Sequence, residues 1–428
     1  MGFRLSLNGR KGTFSRLKTT EPRKGFVVDK LAILKNPLKP YAWGSDSAIP
    51  ELLGIPVIPG HPVAEMWIGA HRLGSSELRQ GNAWVSLLQL IFEQPERYLG
   101  QRVFSRYGGE LPFLMKVLAA SRPLSIQAHP DRHQAISGFQ SENARGMAVD
   151  DPRRTYKDPN PKPECVCALT PFWAMCGFRS IDAVLANVEP FSALLHEEWN
   201  ALVHAADEAS GLRMLFRTLL ELDPHRKEMV LTALRQQVES RALPASISEW
   251  IGKLLMAYPS DIGCLAPLFL NVICLEPGQA LFLPPNTLHA YLEGTAIEIM
   301  ANSDNVVRGG LTPKHIDIET LASIVNFSPS RVSPLQAQAL DTFESIYPAP
   351  AAEFRLSRID LDGATSVDLS CTGGIEIFLC TRGSLAARTE SAGASNLVIG
   401  KGTSFLVMPD CSAIRLKGSG RLFRAVVP

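Results

Sequence analysis

The sequence predicts a mainly β protein with a helical insertion, in which two strand-rich units are present and the first is interrupted by an all-α unit. Three observations carry this prediction. Short apolar runs separated by Gly and Pro turns fill residues 26–179 and 259–428, which is typical of strands. Residues 180–258 contain few Gly or Pro and show helical periodicity. A chain of 428 residues that is 46% apolar is long enough for two or three domains.

Residues 1–25 form a basic N-terminal extension ahead of these units. Residues 1–40 hold ten Lys or Arg and two acids, a balance of +8, so the other 388 residues carry 33 basic and 40 acidic groups, a balance of −7. The extension resembles a transit peptide, although a flexible tail is the simpler explanation. The acidic remainder lacks the charge pattern that binds nucleic acid, and the longest apolar stretch, Cys264–Leu275, is too short for a bilayer. We expect a cytoplasmic protein without nucleic-acid or membrane partners.

The all-α unit spans residues 180–258, and we expect four or five helices in it. Around this insertion, residues 26–179 and 259–325 form the first β unit. Asp223 and Pro224 have the residue types of an N-cap and a first-turn proline, which predicts that a helix begins there. The preceding helix is predicted from an apolar stripe with i, i+3, i+4, i+7, i+8 spacing, formed by Leu212, Leu215, Phe216, Leu219 and Leu220.

Residues 326–428 form the second β unit. Its short apolar strands are separated by turns such as Asp362-Gly363 and Arg382-Gly383, and many short strands of this kind indicate a β-sandwich or a jelly roll. This unit contains no histidine, so we expect a degenerate unit without a metal site. The eight cysteines of the chain lie mostly in apolar runs, which is typical of buried thiols and not of a disulfide framework.

Two segments of the first β unit present candidate metal ligands. Gln127 and His129 are two residues apart and project from the same face of a strand. His289 closes a Gly-x5-Pro-x-Asn-x2-His segment that starts at Gly278, a strand–turn–strand pattern in which Asn286 tolerates a left-handed turn conformation. A single histidine beside apolar strands is more often structural than a ligand, so each segment is weak evidence alone.

A third segment supplies a carboxylate. Lys162 and Glu164 share one face of a strand by the same alternation, whereas Cys165 and Cys167 point the other way and are expected to pack outside the site. Together, the three segments offer two imidazoles, one carboxylate and one amide. This donor set suits zinc or another first-row divalent ion, and its single negative charge leaves the site net positive.

These segments resemble the metal-binding pattern of cupin barrels, with Gln127 in place of a His, a carboxylate 35 residues after His129, and Asn286 in place of a Gly. With these departures, the chain is similar to one cupin family, the type I mannose-6-phosphate isomerases. The similarity covers about residues 30–325. The matching segments are Pro40–Ser45 (PYAWGS), Ala64–His71 (AEMWIGAH), Leu111–Leu118 (LPFLMKVL), Leu124–Asp131 (LSIQAHPD), Asp158–Glu164 (DPNPKPE), Leu283–Tyr291 (LPPNTLHAY) and Glu298–Lys314 (EIMANSDNVVRGGLTPK).

The resemblance implies the fold and the reaction of that family. The fold would be two cupin-type jelly-roll β-barrels plus an all-α domain, with one Zn²⁺ per chain. The reaction would interconvert mannose 6-phosphate and fructose 6-phosphate through an enediol-type intermediate, supplying mannose metabolism and GDP-mannose precursors. The residues on the family's metal-ligand positions are Gln127, His129, Glu164 and His289, and those on its other site positions are Lys116, Lys162, Asp304, Arg308 and Lys314.

The charged residues have chemical roles that this reaction needs. Arg308 precedes two glycines that let a substrate approach, and its guanidinium suits a developing oxyanion or a phosphate. Lys314 is a candidate phosphate ligand, and Lys116 is either a pocket residue or a lysine with a buried stem. Lys162 is a candidate base, and Asp304 either orients a neighbour or transfers a proton. We predict that Arg308, Lys162 and Asp304 are catalytic and that Lys116 and Lys314 bind the substrate.

Two other functions compete with an isomerase. A cupin metal oxygenase uses a histidine-rich ligand set with open positions, and the presence of Gln127 beside basic residues argues against it. A catalytically silent sugar-binding regulator fits the histidine-free second β unit but not the first unit, which has the full ligand and basic set. We therefore predict an isomerase that acts as a monomer on a small sugar phosphate.

Overall fold

The computed structural model describes residues 29–389 and 395–428, which form two antiparallel β-sheets and a group of helices. The predicted basic extension, residues 1–25, lies outside the described residues. The strands are β1 (Leu31–Lys35), β2 (Leu38–Lys39), β3 (Glu65–His71), β4 (Gly74–Ser75), β5 (Glu77–Gln80), β6 (Ala83–Ser86), β7 (Phe113–Ala120), β8 (Ile126–Ala128), β9 (Glu164–Ala168), β10 (Phe172–Phe178), β11 (Leu270–Leu275), β12 (Ala280–Leu283), β13 (His289–Ala301), β14 (Val307–Gly310), β15 (Gln338–Ala339), β16 (Glu344–Ile346), β17 (Arg355–Asp362), β18 (Val367–Ser370), β19 (Glu376–Thr389), β20 (Asn396–Gly400), β21 (Ser404–Val407) and β22 (Ala413–Val426).

Of the twelve α-helices in the described residues, six lie between β10 and β11. The α-helices are α1 (Ala48–Leu53), α2 (Leu87–Glu93), α3 (Pro95–Leu99), α4 (Gln101–Tyr107), α5 (Arg132–Ala144), α6 (Ile181–Val188), α7 (His196–Val203), α8 (Glu208–Glu221), α9 (Pro224–Glu239), α10 (Ala245–Ala257), α11 (Ala266–Phe269) and α12 (Ile318–Ile324). Short 3-10 helices cover Glu189–Phe191 and Ile262–Leu265.

The strands pair into two sheets. The site sheet has the order β11-β10-β13-β7-β3-β2, to which β4, β8, β9, β12 and β14 are attached. The C-terminal sheet has the order β15-β16-β17-β22-β19-β21-β1-β5-β6, to which β18 and β20 are attached. The predicted mainly β architecture with helices is confirmed.

The predicted closed barrels are not found, because the strand pairs of the described residues form no ring in either sheet. The site sheet stays open because of the long strand β13. Different parts of β13 pair with β7, β8, β9 and β10, so the site sheet branches from this strand and stays open.

The two sheets pack against one apolar core. Met115 and Val117 of β7 lie in this core, so the intervening Lys116 projects from the opposite face of the site sheet. Cys165 and Cys167 of β9 lie in the same core, which confirms that they point away from the predicted metal site. The polar residues of the site sheet therefore collect on its other face.

Helices α6–α12 pack on the side of β8 and β13 that faces away from Gln127 and His289. Helix α8 buries four of the five residues of the predicted apolar stripe, and Leu220 is half-buried. Asp223 caps α9 and Pro224 lies in its first turn, as predicted. The helices share their apolar core with Ile126 of β8 and Ala290 of β13. Because this core is shared with the sheet, a separate all-α domain is not shown.

The N-terminal strand β1 belongs to the C-terminal sheet. Ala32 of β1 pairs with Leu406 of β21, and Leu34 pairs with Leu78 of β5. Residues from both ends of the chain thus complete one sheet, and the predicted domain boundaries stay a prediction.

A buried ion cluster stabilises the C-terminal sheet. Arg424 donates to both carboxylate oxygens of Glu344 at 3.1 Å, to Glu376 at 2.8 Å and to the carbonyl of Ser370 at 2.8 Å. Its side chain and those of both glutamates are at most 3% exposed. The guanidinium therefore pairs with two buried carboxylates at once.

The cysteines and the longest helices bear on two predictions drawn from the apolar runs. All eight cysteines are free, with Cys274 and Cys371 half-buried and the others buried, which confirms buried thiols. Among the described residues, no helix combines the length and the apolar character that a membrane span requires.

Candidate metal centre and active site

Three buried side chains converge on the polar face of the site sheet. His129 follows β8, Glu164 begins β9 and His289 begins β13. One ligand atom from each residue lies within 4.8 Å of the other two, and all three residues are at most 2% exposed. The structure thus brings together three of the four predicted metal ligands.

The two imidazoles are oriented as metal ligands. Nδ1 of His129 lies 2.8 Å from the carbonyl of Asn305, and Nδ1 of His289 lies 2.9 Å from the carbonyl of Thr287. Because a carbonyl oxygen only accepts, each Nδ1 carries the proton and each Nε2 presents a lone pair. Burial, together with the nearby Lys162 ammonium, lowers the pKa of His129 to about 4, which keeps that ring neutral.

The lone pairs point at a carboxylate, and this arrangement fits a cation. The Nε2 atoms of His129 and His289 lie 3.1 and 3.5 Å from the oxygens of Glu164, yet neither makes a hydrogen bond. Buried acceptors that face one another repel unless a positive charge lies between them. Two imidazoles and one carboxylate are common zinc ligands, so the residues present fit a zinc ion.

Glu164 is held by two further side chains. Lys162 Nζ lies 3.0 Å from Oε1, and the hydroxyl of Tyr291 donates to Oε2 at 3.0 Å. Burial raises the pKa of Glu164, but the charge of the Lys162 ammonium outweighs it and holds the pKa well below its usual value. The carboxylate therefore stays ionised. The sequence did not indicate Tyr291 as a contact of this centre.

Gln127 lies beside the three converging residues. It occupies the middle of β8, where it pairs with His289 of β13 on one side and with Arg308 of β14 on the other. Asn286, in the turn before His289, has φ of 70°, which confirms the left-handed conformation expected at that position. The assignment of Gln127 as the fourth ligand stays a prediction.

Lys116 lies in a second buried group on the same face. Its Nζ is 2.9 Å from Glu298 Oε2 and 3.6 Å from Glu65 Oε1, and it lies 5.5 Å from the centre of the Trp67 ring. Burial lowers the pKa of Lys116, but the two carboxylates outweigh it and raise the pKa above its usual value, so the lysine stays charged. Lys116 and Glu298 are paired across β7 and β13. Glu298 was not predicted from the sequence, although a charged residue between Ile297 and Ile299 in an apolar run was a usable signal.

Arg308 and Lys314 form a basic pair next to Gln127. Within the described part of the chain, neither has a carboxylate within 4.0 Å. Burial lowers the pKa of Arg308, and the charge of Arg308 is the main cause that lowers the pKa of Lys314. Two neighbouring cations without a protein partner provide a place for an anion.

Asp304 contacts two basic side chains. Arg72 donates to Oδ2 at 2.7 and 2.9 Å, and Nε2 of His71 lies 3.3 Å from Oδ1. The backbone N–H of Leu73 donates to Nδ1 of His71, so Nε2 carries the proton that faces Asp304. Burial raises the pKa of Asp304, but hydrogen bonds from His71 and Arg72 outweigh it and hold the pKa well below its usual value. This geometry favours an orienting role over proton transfer.

Comparison with known proteins identifies the family. The family description "Phosphomannose isomerase type I, catalytic domain" matches residues 31–181. A mannose-6-phosphate isomerase from Salmonella typhimurium is 40% identical over 401 residues, which cover 91% of this chain and 98% of that protein. The chain belongs to the type I phosphomannose isomerases. A human mannose-6-phosphate isomerase is 34% identical over 381 residues, covering 82% of this chain and 87% of that protein.

Solved structures of phosphomannose isomerases agree with this assignment. A crystal structure of mannose 6-phosphate isomerase in its holo, zinc-bound form has a TM-score of 0.86 and 37% identity, and it covers 93% of this chain and 99% of that chain. A second structure, bound with zinc and yttrium, has the same values. The resemblance drawn from the sequence motifs is confirmed, as are the enzyme class and the zinc cofactor of the family.

Proposed function

We propose that this chain is a zinc-dependent aldose–ketose isomerase that interconverts mannose 6-phosphate and fructose 6-phosphate through an enediol-type intermediate. One observation carries the proposal: the His129, Glu164 and His289 cluster lies beside the Arg308 and Lys314 pair, since Gln127 of β8 pairs with His289 of β13 on one side and with Arg308 of β14 on the other. A metal centre beside two free cations suits a substrate that is both a sugar and a phosphate. The names of the relatives support the choice of sugar phosphate.

The metal would be held by Gln127, His129, Glu164 and His289. When bound there, zinc supplies a Lewis acid that stabilises negative charge on a sugar oxygen. The protein prepares the ligands before the metal binds. Carbonyl groups fix both imidazole rings, and Tyr291 fixes the carboxylate of Glu164.

The basic residues would bind the anionic parts of the substrate. Arg308 stabilises the charge that develops on O1 and O2 during isomerisation, and Lys314 binds the phosphate. Since neither cation is paired with a carboxylate of the described residues, no ion pair there has to break when the substrate binds. Lys116 binds sugar hydroxyls beside the Trp67 ring, in a position fixed by Glu298.

Lys162 and Asp304 complete the proposed catalytic set. The ammonium of Lys162 contacts Glu164, so it lies beside the residues that would hold the metal and would be placed to donate a proton to a sugar oxygen. Asp304 holds His71 and Arg72 at the rim of the site through its two oxygens. We infer that Asp304 positions these groups.

The experiment is a coupled assay of mannose 6-phosphate conversion before and after chelation, followed by addition of zinc. Activity is expected to disappear on chelation and to return with zinc. Arg308→Ala is expected to reduce turnover by about 10²–10³-fold, as for loss of one oxyanion donor, whereas Arg388→Ala, an exposed arginine of β19 in the C-terminal sheet, is expected to keep it. Activity that survives metal removal, or full turnover in Arg308→Ala, would overturn the proposal.

The finer architecture is part of the same proposal. We infer that each open sheet curls into a cupin-type jelly roll, with a catalytic unit at residues 26–179 and 259–325, a helical domain at 180–258 and a degenerate unit at 326–428. A shared apolar core between the two sheets supports such face-to-face packing. We also propose that the protein is a cytoplasmic monomer whose partner is the small sugar phosphate.

A further inference from the structure

A cleft of about 330 Å³ lies where the two sheets meet. Its walls come from helix α1, from the C-terminal end of β9, from the middle of β13, and from β19 and β22 of the C-terminal sheet. Binding sites for small molecules enclose roughly 300–1,000 Å³, so the cleft is large enough for a small metabolite.

The cleft is separate from the metal centre. Glu164 begins β9 and Ala168, which lines the cleft, ends it, which places them roughly 13 Å apart at about 3.3 Å per residue. Thr295 lies six residues beyond His289 on β13, roughly 20 Å away by the same spacing. None of the residues assigned above to the catalytic site lines the cleft.

The charge of the cleft is positive. Arg382, Lys401 and Arg421 line it, against one acidic residue, Glu51. In the described ranges, neither Arg382 nor Lys401 has a carboxylate within 4.0 Å. Arg421 is paired with Asp360 at 2.6 Å. Like charges that converge without partners repel each other, which an anionic ligand would relieve.

An irregularity of the backbone directly precedes one of these cations, Arg382. The pairing of β19 with β22 shifts register between Cys380 and Arg382, which marks a β-bulge at Thr381. A bulge changes the direction of the side chains that follow it and is often found beside binding sites. Thr381 itself lines the cleft and supplies a hydroxyl.

We propose that this cleft binds the phosphate group of a small phosphorylated metabolite at a site distinct from the catalytic centre. Two guanidinium groups and one ammonium group match a dianion with three oxygens better than they match a single carboxylate. Arg382 and Lys401 are the principal ligands, because no carboxylate of the described residues pairs with them. β9 and β13 connect the cleft to Glu164 and His289, so occupancy of the cleft is linked by continuous strands to the metal centre.

The test is calorimetric titration of the zinc-loaded full chain with inorganic phosphate. The wild type is expected to bind phosphate at the active site and at the cleft. Arg382→Gln/Lys401→Gln is expected to weaken the cleft site at least tenfold while the active-site binding remains. The matched control, Arg388→Gln/Lys417→Gln, removes two exposed cations of the same sheet outside the cleft and is expected to behave as the wild type.

A second variant keeps the proposal testable if the double variant folds poorly. Glu51→Gln removes the acidic residue of the cleft and leaves its cations in place, so phosphate binding at the cleft is expected to tighten severalfold. Unchanged stoichiometry and affinity in Arg382→Gln/Lys401→Gln, or no tightening in Glu51→Gln, would overturn the proposal. Neither result would affect the proposed isomerase activity, which depends on other residues.

Discussion

The hydroxyl of Tyr291 offers a direct test of how the metal centre is organised. It donates to Glu164 Oε2 at 3.0 Å, and the residue is 2% exposed. Tyr291→Phe removes one oxygen atom and keeps the ring, which packs edge-on against Phe172 at 5.4 Å. The change therefore removes one hydrogen bond to the ligand carboxylate without creating a large cavity.

The magnitude follows from the type of bond. A hydrogen bond to a charged group contributes about 1.5–3 kcal/mol, which corresponds to a change of roughly 10- to 150-fold at about 1.4 kcal/mol per factor of ten. Groups that support metal ligands typically change metal affinity by about 10–100-fold. We expect Tyr291→Phe to weaken zinc binding within that range, because Glu164 is no longer held in position.

Competition against a fluorescent zinc chelator measures this change, and turnover at rising zinc concentration measures it independently. The matched control is Tyr347→Phe. That hydroxyl contacts Cys167 Sγ and the carbonyl of Gly278, each at 3.0 Å, and neither group belongs to the metal centre. The reasoning is refuted if Tyr291→Phe binds zinc within twofold of the wild type, or if Tyr347→Phe loses as much affinity.

Arg424→Met is expected to lower the free energy of unfolding by about 3–5 kcal/mol, because two buried carboxylates lose their cation; an unchanged midpoint in urea denaturation would contradict this. Replacement of Cys165 and Cys167 together by Ala is expected to keep one zinc per chain, since both sulfurs lie in the core between the sheets. Loss of zinc by atomic absorption would instead place a thiol in the centre. Asp304→Asn is expected to reduce stability at pH 7, because the pKa of Asp304 is lower in the folded chain than its usual value. This difference between variant and wild type should shrink as the pH falls below about 4, where the carboxylate of the unfolded chain becomes protonated, and denaturation at pH 7 and pH 3.5 measures it.

Local sequence pattern was enough where the structure depends on local geometry. Strand alternation separated Glu164 from Cys165 and Cys167, because successive side chains always take opposite faces. The cap at Asp223 followed from the bonding needs of a helix terminus, which only neighbouring residues satisfy. The left-handed conformation of Asn286 was also predictable from local residues, because asparagine tolerates that conformation in a turn.

Contacts set by long-range register could not be predicted in this way. Lys116 meets Glu298 only because β7 and β13 pair in one register, and these strands are distant in the sequence. The contact between Tyr291 and Glu164 likewise depends on how β13 and β9 are placed side by side. Whether a sheet closes or branches depends on the sum of such pairings, which explains why the open form of both sheets was missed.

The pairing of β1 with β21 has a consequence for synthesis of the chain. β5 follows β1 after about 40 residues, but β21 follows only after about 370. At a translation rate of about 5–20 residues per second, one edge of β1 therefore waits roughly 20–75 s for its partner. An apolar strand with an open edge is a template for pairing with other chains. A nascent chain is thus most exposed to aggregation until β21 has been made, and a chain cut before Ser404 is expected to aggregate instead of leaving an intact catalytic unit.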